Sequence, residues 1–278
     1  MKKIFFCLSL SILIFINGRA QQLTIPSPSP TQVLKQDFGL SFIEINYSRP
    51  GVKGRTIFGD LVPFDKIWRT GANSATTIEF GEPVTIGGKK IAAGKYGLLT
   101  IPGKTEWIFI ITKQLDVTNP ANYRQSEDVV RVSAPVNNLN FSMETMTMDF
   151  MNMTTHACEL ELLWSNVAVR FAIRNDVDSV IMSRIDETMN KDNRPYYAAA
   201  MYYMDNGKDL NQALQWFTMA TQKNPDAYFM VYQKARCEAK LGKKKEAIET
   251  AQKGIELAKK ANNSDYVTLN EKLIASLK

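Results

Sequence analysis

Residues 155–189 read THACELELLWSNVAVRFAIRNDVDSVIMSRIDETM, and within them the hydrophobic period changes. Cys158, Leu160, Leu162 and Trp164 alternate with Glu159 and Glu161, and Val167, Val169, Phe171 and Ile173 face away from Arg170 and Arg174. A period of two sends neighbouring side chains to opposite faces of a strand. Past Asn175 the apolar residues Val177, Val180, Ile181, Ile185 and Met189 recur at threes and fours, which lines one side of a helix. The chain therefore divides into a β part, 33–174, and an α part, 175–278.

Upstream of the quoted stretch the period of two persists. Ile43, Ile45 and Tyr47 share one face against Glu44 and Asn46, and short strands are expected at 75–80, 83–86, 89–91, 94–101, 107–112, 129–133 and 141–150. Gly87-Gly88 and Pro102-Gly103 supply the bends of two hairpins. Many short strands with no helical pattern between them predict an antiparallel sandwich or jelly roll, because each hairpin's apolar face must be covered by a second sheet. Ahead of this, residues 21–32 carry Pro26, Pro28 and Pro30 spaced by serines and read as an extended leader.

Residues 1–20 have the form of a secretory signal. Lys2 and Lys3 precede an apolar run from Ile4 to Ile16, and Gly18 and Ala20 are small residues before a cut ahead of Gln21. An exported chain, periplasmic or in the outer envelope, with no membrane span once the signal is removed, is the expectation. Loss of Lys2, Lys3 and Arg19 takes the formal charge from +6 to +3, too mild to make nucleic acid the partner. Cys158 and Cys237 are then the only cysteines, and two buried free thiols are expected rather than a disulfide framework.

In the α part, Pro195 opens a helix that stops near Asn206-Gly207, and Asp209 caps one that ends at Asn224-Pro225. Helices over 228–241 and 243–261 meet at Gly242, and 265–277 forms a last one. Ala213, Phe217, Ala220 and Pro225, then Gly242, Ala247 and Gly254, have the spacing of tetratricopeptide repeats, which this region resembles. Lys234 and Glu238 stand where such repeats are usually apolar, and Ala251 where they carry a large residue. Such hairpins either dock a protein partner or pack as a stabilising cap. Lys240, Lys243, Lys244 and Lys245 cluster at one turn, a solvated charge run or an anion site.

No spaced histidine or cysteine pair, phosphate-binding glycine loop or nucleophile elbow is present, so no catalytic residue, metal or cofactor is assigned. His156, the sole histidine, reads as a structural residue beside a strand. The segment richest in unusual chemistry is RPGVKGRTIFGDLVPFDKIWRTGAN, residues 49–73, too long for an ordinary loop. Arg49, Arg55, Trp68, Arg69 and Asn73 are its candidate ligand-binding residues: guanidinium forks suit carboxylate or phosphate, and an indole face suits a sugar ring. The same arginines could instead be used internally, on backbone carbonyls and on Asp60 and Asp65.

Gly54-Arg55, Ile57-Phe58-Gly59, Leu61-Val62-Pro63 and Trp68-Arg69-Thr70-Gly71-Ala72-Asn73 resemble the signature of domain-of-unknown-function family 2911. Thr77-Ile78-Glu79-Phe80, Gly87-Gly88-Lys89 and Ala93-Gly94-Lys95-Tyr96 extend the likeness over residues 31 to 174. The resemblance implies an exported bacterial protein of Bacteroidetes type with a helical tail, and carries no activity with it. Three functions stay open: a non-enzymatic module binding an anionic or sugar ligand, with a helical protein-contact tail; a hydrolase of envelope glycans using a carboxylate pair from Asp60, Asp65, Glu79 and Glu82; and a structural component of an envelope assembly.

Overall fold

The computed structural model describes residues 25–191 and 193–278, so the proposed signal lies outside the described residues. The chain forms two compact units that meet in sequence at Asn175 and Asp176. A β sandwich followed by helical hairpins, the architecture expected from the change of period, is the one observed.

The first unit holds ten strands: β1 (Thr31–Phe38), β2 (Ser41–Ser48), β3 (Thr77–Phe80), β4 (Val84–Ile86), β5 (Lys89–Ile91), β6 (Gly94–Ile101), β7 (Glu106–Thr112), β8 (Asp128–Pro135), β9 (Asn137–Met151) and β10 (Ala157–Asn175). They make two antiparallel sheets, ordered β1-β2-β3-β6-β7-β8 and β5-β4-β10-β9. The chain changes sheet through three short links: Gly81–Pro83 after β3, Ala92–Ala93 between β5 and β6, and Val136 between β8 and β9. One core fills the space between the sheets, with Ile43, Ile45, Leu98 and Phe109 from one side and Ile86, Leu160, Leu162 and Ile173 from the other. Their inward positions follow from the period-two alternation.

Two features differ from the sequence expectation. β1 begins at Thr31, inside the segment read as a leader, and is a strand that the alternation does not announce. It is an edge strand whose outer face mixes Val33 with Thr31, Lys35 and Asp37, and whose inner face mixes Leu34 and Phe38 with Gln32 and Gln36, so neither face is cleanly apolar. The two alternating stretches around Trp164 and Val167 belong to one strand of 19 residues, which the break in their alternation does not announce. Its larger buried side chains run Cys158, Leu160, Leu162, Trp164, then Val167, Val169, Phe171, Ile173, and the small Ala168 is buried as well. The parity changes where Ser165 turns to φ +54° and the pairing with β9 slips.

The second unit contains α1 (Val177–Met189), α2 (Tyr196–Asp205), α3 (Leu210–Lys223), α4 (Tyr228–Lys240), α5 (Lys244–Lys260) and α6 (Ser264–Leu277). Asp209 caps α3 by accepting from the Asn211 amide, and Gly242 turns the chain at φ +74° between α4 and α5. Ala200, Met204, Ala213, Phe217 and Cys237 pack together at its centre. Among the described residues no helix is long and apolar enough to cross a membrane.

Candidate functional site

The 49–73 segment leaves β2 and is fastened first to the free edge of β9. The Val52 amide donates to the Glu144 carbonyl at 2.7 Å, and the Met146 amide donates to Pro50 at 2.9 Å. Arg49 reinforces the join: its Nε donates to the Met146 carbonyl at 3.0 Å and an Nη to Thr147 Oγ1 at 2.7 Å. The chain then turns through Lys53 and Gly54, both at positive φ. Arg55 folds back here, with Nε on the Val52 carbonyl at 3.1 Å and an Nη on Gly51 at 2.6 Å. Gly59, at φ +92°, has no room for a side chain, since a Cβ would stand 2.7 Å from the Phe64 ring.

The far end of the segment lies along β6. Trp68 and Thr100 exchange backbone hydrogen bonds of 2.8 and 3.0 Å, so Trp68 continues the sheet where β3 has not yet begun. Thr70, Thr76 and Thr100, all inaccessible to solvent, tie this end down: Thr70 donates to Thr100 Oγ1 and Thr76 to the Thr70 carbonyl. Asn73 donates to the Ser29 carbonyl at 3.0 Å.

Between the two fastenings the segment delivers Phe58 and Trp68 into the sandwich, onto Trp107 of β7 and Trp164 of β10. Phe58 meets Trp107 and Trp164 edge-on, at 4.9 and 5.9 Å, and Trp68 stacks on Trp164 at 5.8 Å. Three of the four tryptophans in the chain thus converge under one loop. Trp107 and Trp164 are buried, and Trp68 is half-buried.

A cavity of about 360 Å³ opens beside this cluster, lined by Arg55, Ile67, Trp68, Arg69, Thr118 and Trp164 among others, and among the described residues by no carboxylate. Its size is that of a small-ligand site. Arg69 reaches across it, donating to the Thr118 carbonyl at 2.7 Å, while its Nε is buried with no protein partner. The indole Nε1 of Trp164 is likewise buried without an acceptor. Arg55 and Arg69 bond to carbonyls as internal use predicts, but not to Asp60 or Asp65: among the described residues no ion pair involves either arginine. A carbonyl orients a guanidinium without cancelling its charge.

Of the five candidates, then, Arg55, Trp68 and Arg69 meet at one cavity, whereas Arg49 and Asn73 are engaged in holding the loop and do not line it. Trp164 and Thr118 join the site although neither belongs to the loop. Asp60, Asp65, Glu79 and Glu82 do not line the cavity; Glu79 sits in β3 opposite Glu44 and Lys95, and Glu82 accepts from the Leu40 amide at 3.2 Å. His156 lies in the turn before β10, where its carbonyl accepts from the Asn175 amide at 3.0 Å. Among the described residues no group of three or more His, Cys, Asp or Glu side chains is placed to hold a metal ion.

The family model described as "Protein of unknown function (DUF2911)" matches residues 29–173. The chain belongs to the DUF2911 family. The matched span covers both sheets and the whole cavity lining, so the loop and its aromatic floor are part of the DUF2911 domain, while the helical unit lies beyond it. No curated protein and no solved structure matches the chain.

Proposed function

We propose that the DUF2911 domain of this chain is a non-enzymatic binding module whose cavity takes a small ligand with an acidic group and a flat or ring-shaped body. One observation carries this: Arg55 and Arg69 line a single cavity with no counter-charge, beside the Trp68–Trp164 stack. An acidic group entering there would meet N–H donors already held in place by backbone carbonyls, and it would not have to displace a competing carboxylate. The carboxylates nearest in sequence do not line the cavity, which weighs against a glycan hydrolase built on them.

The test is a thermal-shift screen of sugar acids, aromatic carboxylates and phosphorylated sugars, repeated on Arg69→Ala. Removing one charge-assisted contact is expected to weaken a hit by about tenfold or more. The proposal fails if no acidic compound stabilises the wild type, or if every hit binds Arg69→Ala with unchanged affinity.

We further propose an exported, envelope-located protein whose helical unit, tetratricopeptide-like in its spacing, serves as a protein contact. Supporting the contact is a shallow groove on α3 where Trp216 and the exposed Met219 lie near Arg194 and Lys243. Fractionation of cells expressing the full chain with a C-terminal tag tests the location; recovery with the cytoplasmic fraction would overturn it.

A further inference from the structure

Arg55 lines a second cavity as well. This one, of about 540 Å³, is bounded by Phe64, Lys104, Trp107, Asn138 and Asn166, and again by no carboxylate. Phe58 and Trp107 wall it while Trp68 and Trp164 wall the first, so the two cavities adjoin the same four-ring cluster with Arg55 common to both. Cations recur along the pair: Arg69 in the first, Arg55 in each, Lys104 in the second. Among the described residues none of them is in an ion pair. The second cavity adds carboxamides from Asn138 and Asn166 and a hydroxyl from Ser165, groups that can both donate to and accept from hydroxyls.

We propose that the two cavities are subsites of one elongated groove and that its ligand is an acidic oligosaccharide. The proposal rests on the first cavity binding an acidic group, and adds the ligand's class and length. Partly exposed rings (Phe58, Phe64 and Trp68) for sugar rings, carboxamides for hydroxyls and cations without carboxylate partners for repeated acidic groups occur together here. A neutral glycan would leave the cations uncompensated. A single small acid would use only one end.

The test is titration calorimetry of the full chain with galacturonic acid and its oligomers of increasing length, beside neutral glucose oligomers of the same lengths and poly-glutamate peptides. Affinity for the uronates is expected to rise by about tenfold or more between the monomer and an oligomer long enough to reach both cavities, with the neutral series not binding. Lys104 is exposed, so Lys104→Ala should fold normally and lose most of that gain. If small acids bind but affinity does not grow with uronate length, the elongated groove is wrong and the single-cavity proposal stands. If the peptides show the length-dependent gain and the uronates do not, the saccharide assignment is wrong. If no acid of any kind binds, both proposals fall.

Discussion

The sandwich and the helical unit achieve close packing by opposite means. Between the sheets the inaccessible side chains are large, with Trp107, Trp164, Tyr47 and Phe109 among them. In the helices they are mostly small: Ala200, Ala213, Ala235, Ala247, Ala251 and Ala258, with Phe217 set among them. Facing sheets stand about 10 Å apart and need bulk to fill the gap. Helices that approach closely need small residues at the contact. Gly254 is the extreme case: a Cβ there would lie 2.7 Å from Oδ1 of the buried Asn270 on α6. The difference teaches that the first unit is vulnerable to truncation and the second to enlargement.

The largest test of that contrast is Trp107→Ala, which removes a ring touching Phe58, Trp68 and Phe109. A loss of about 3–5 kcal/mol is expected from urea unfolding followed by tryptophan fluorescence. A loss under about 1 kcal/mol would mean that the aromatic end of the sandwich is loosely packed.

In the helices the corresponding experiment adds atoms. Ala251→Leu should cost about 1–3 kcal/mol, read from the urea midpoint of the far-ultraviolet circular dichroism. Gly254→Ala sharpens it: helix propensity alone favours alanine by about 1 kcal/mol, so a net loss shows that the contact with Asn270 wins. A net gain would break the contrast.

Cys158 and Cys237 compare the units by chemistry. Both are buried and free, and burial pushes the Cys158 thiol up to about 12 and the Cys237 thiol up to about 11, with Glu159 and Glu238 adding to the rise. At pH 9 both sites of the native chain should alkylate far more slowly than those of the urea-unfolded chain. A raised thiol pKa leaves native stability intact below the unfolded thiol's pKa. That stability is lost as the pH climbs towards 11 and 12, because the unfolded thiols ionise first. Equal, fast alkylation of both sites at pH 9 would contradict the burial assigned to them.

The smallest effect is local. Asp209→Ala removes the oxygen that receives the Asn211 amide at the start of α3, a loss of about 1 kcal/mol by the same circular-dichroism measurement. A neutral result would place the stability of α3 wholly in its Ala213–Phe217–Ala220 face.

What sequence could show depends on how regular the local physics is. The strand and helix periods stand out because each element has one buried face, and the capped and glycine-ended helices give their boundaries directly. β1 escapes, since its exposed edge positions are free to be polar. At the site, Arg55, Trp68 and Arg69 draw notice because glycines and arginines crowd one long segment. Trp164 does not, because an indole in an alternating strand looks like any core residue. The one clue was the change of parity beside it. Thr118 could not be found at all: nothing local in 115–122 announces that Arg69, 49 positions earlier, will bond to it.

That change of parity has a consequence for how the gene can vary. Because Ser165 absorbs an odd step, deleting a single codon between Trp164 and Val167 would restore strict alternation and leave Val167, Val169, Phe171 and Ile173 on the same inward face as Trp164, with the irregularity gone. One polar substitution at Val169 or Phe171, both buried, would do more damage than that in-frame loss. The coding sequence must therefore preserve the composition of the two flanking faces, and has one codon of slack in the hinge that joins them.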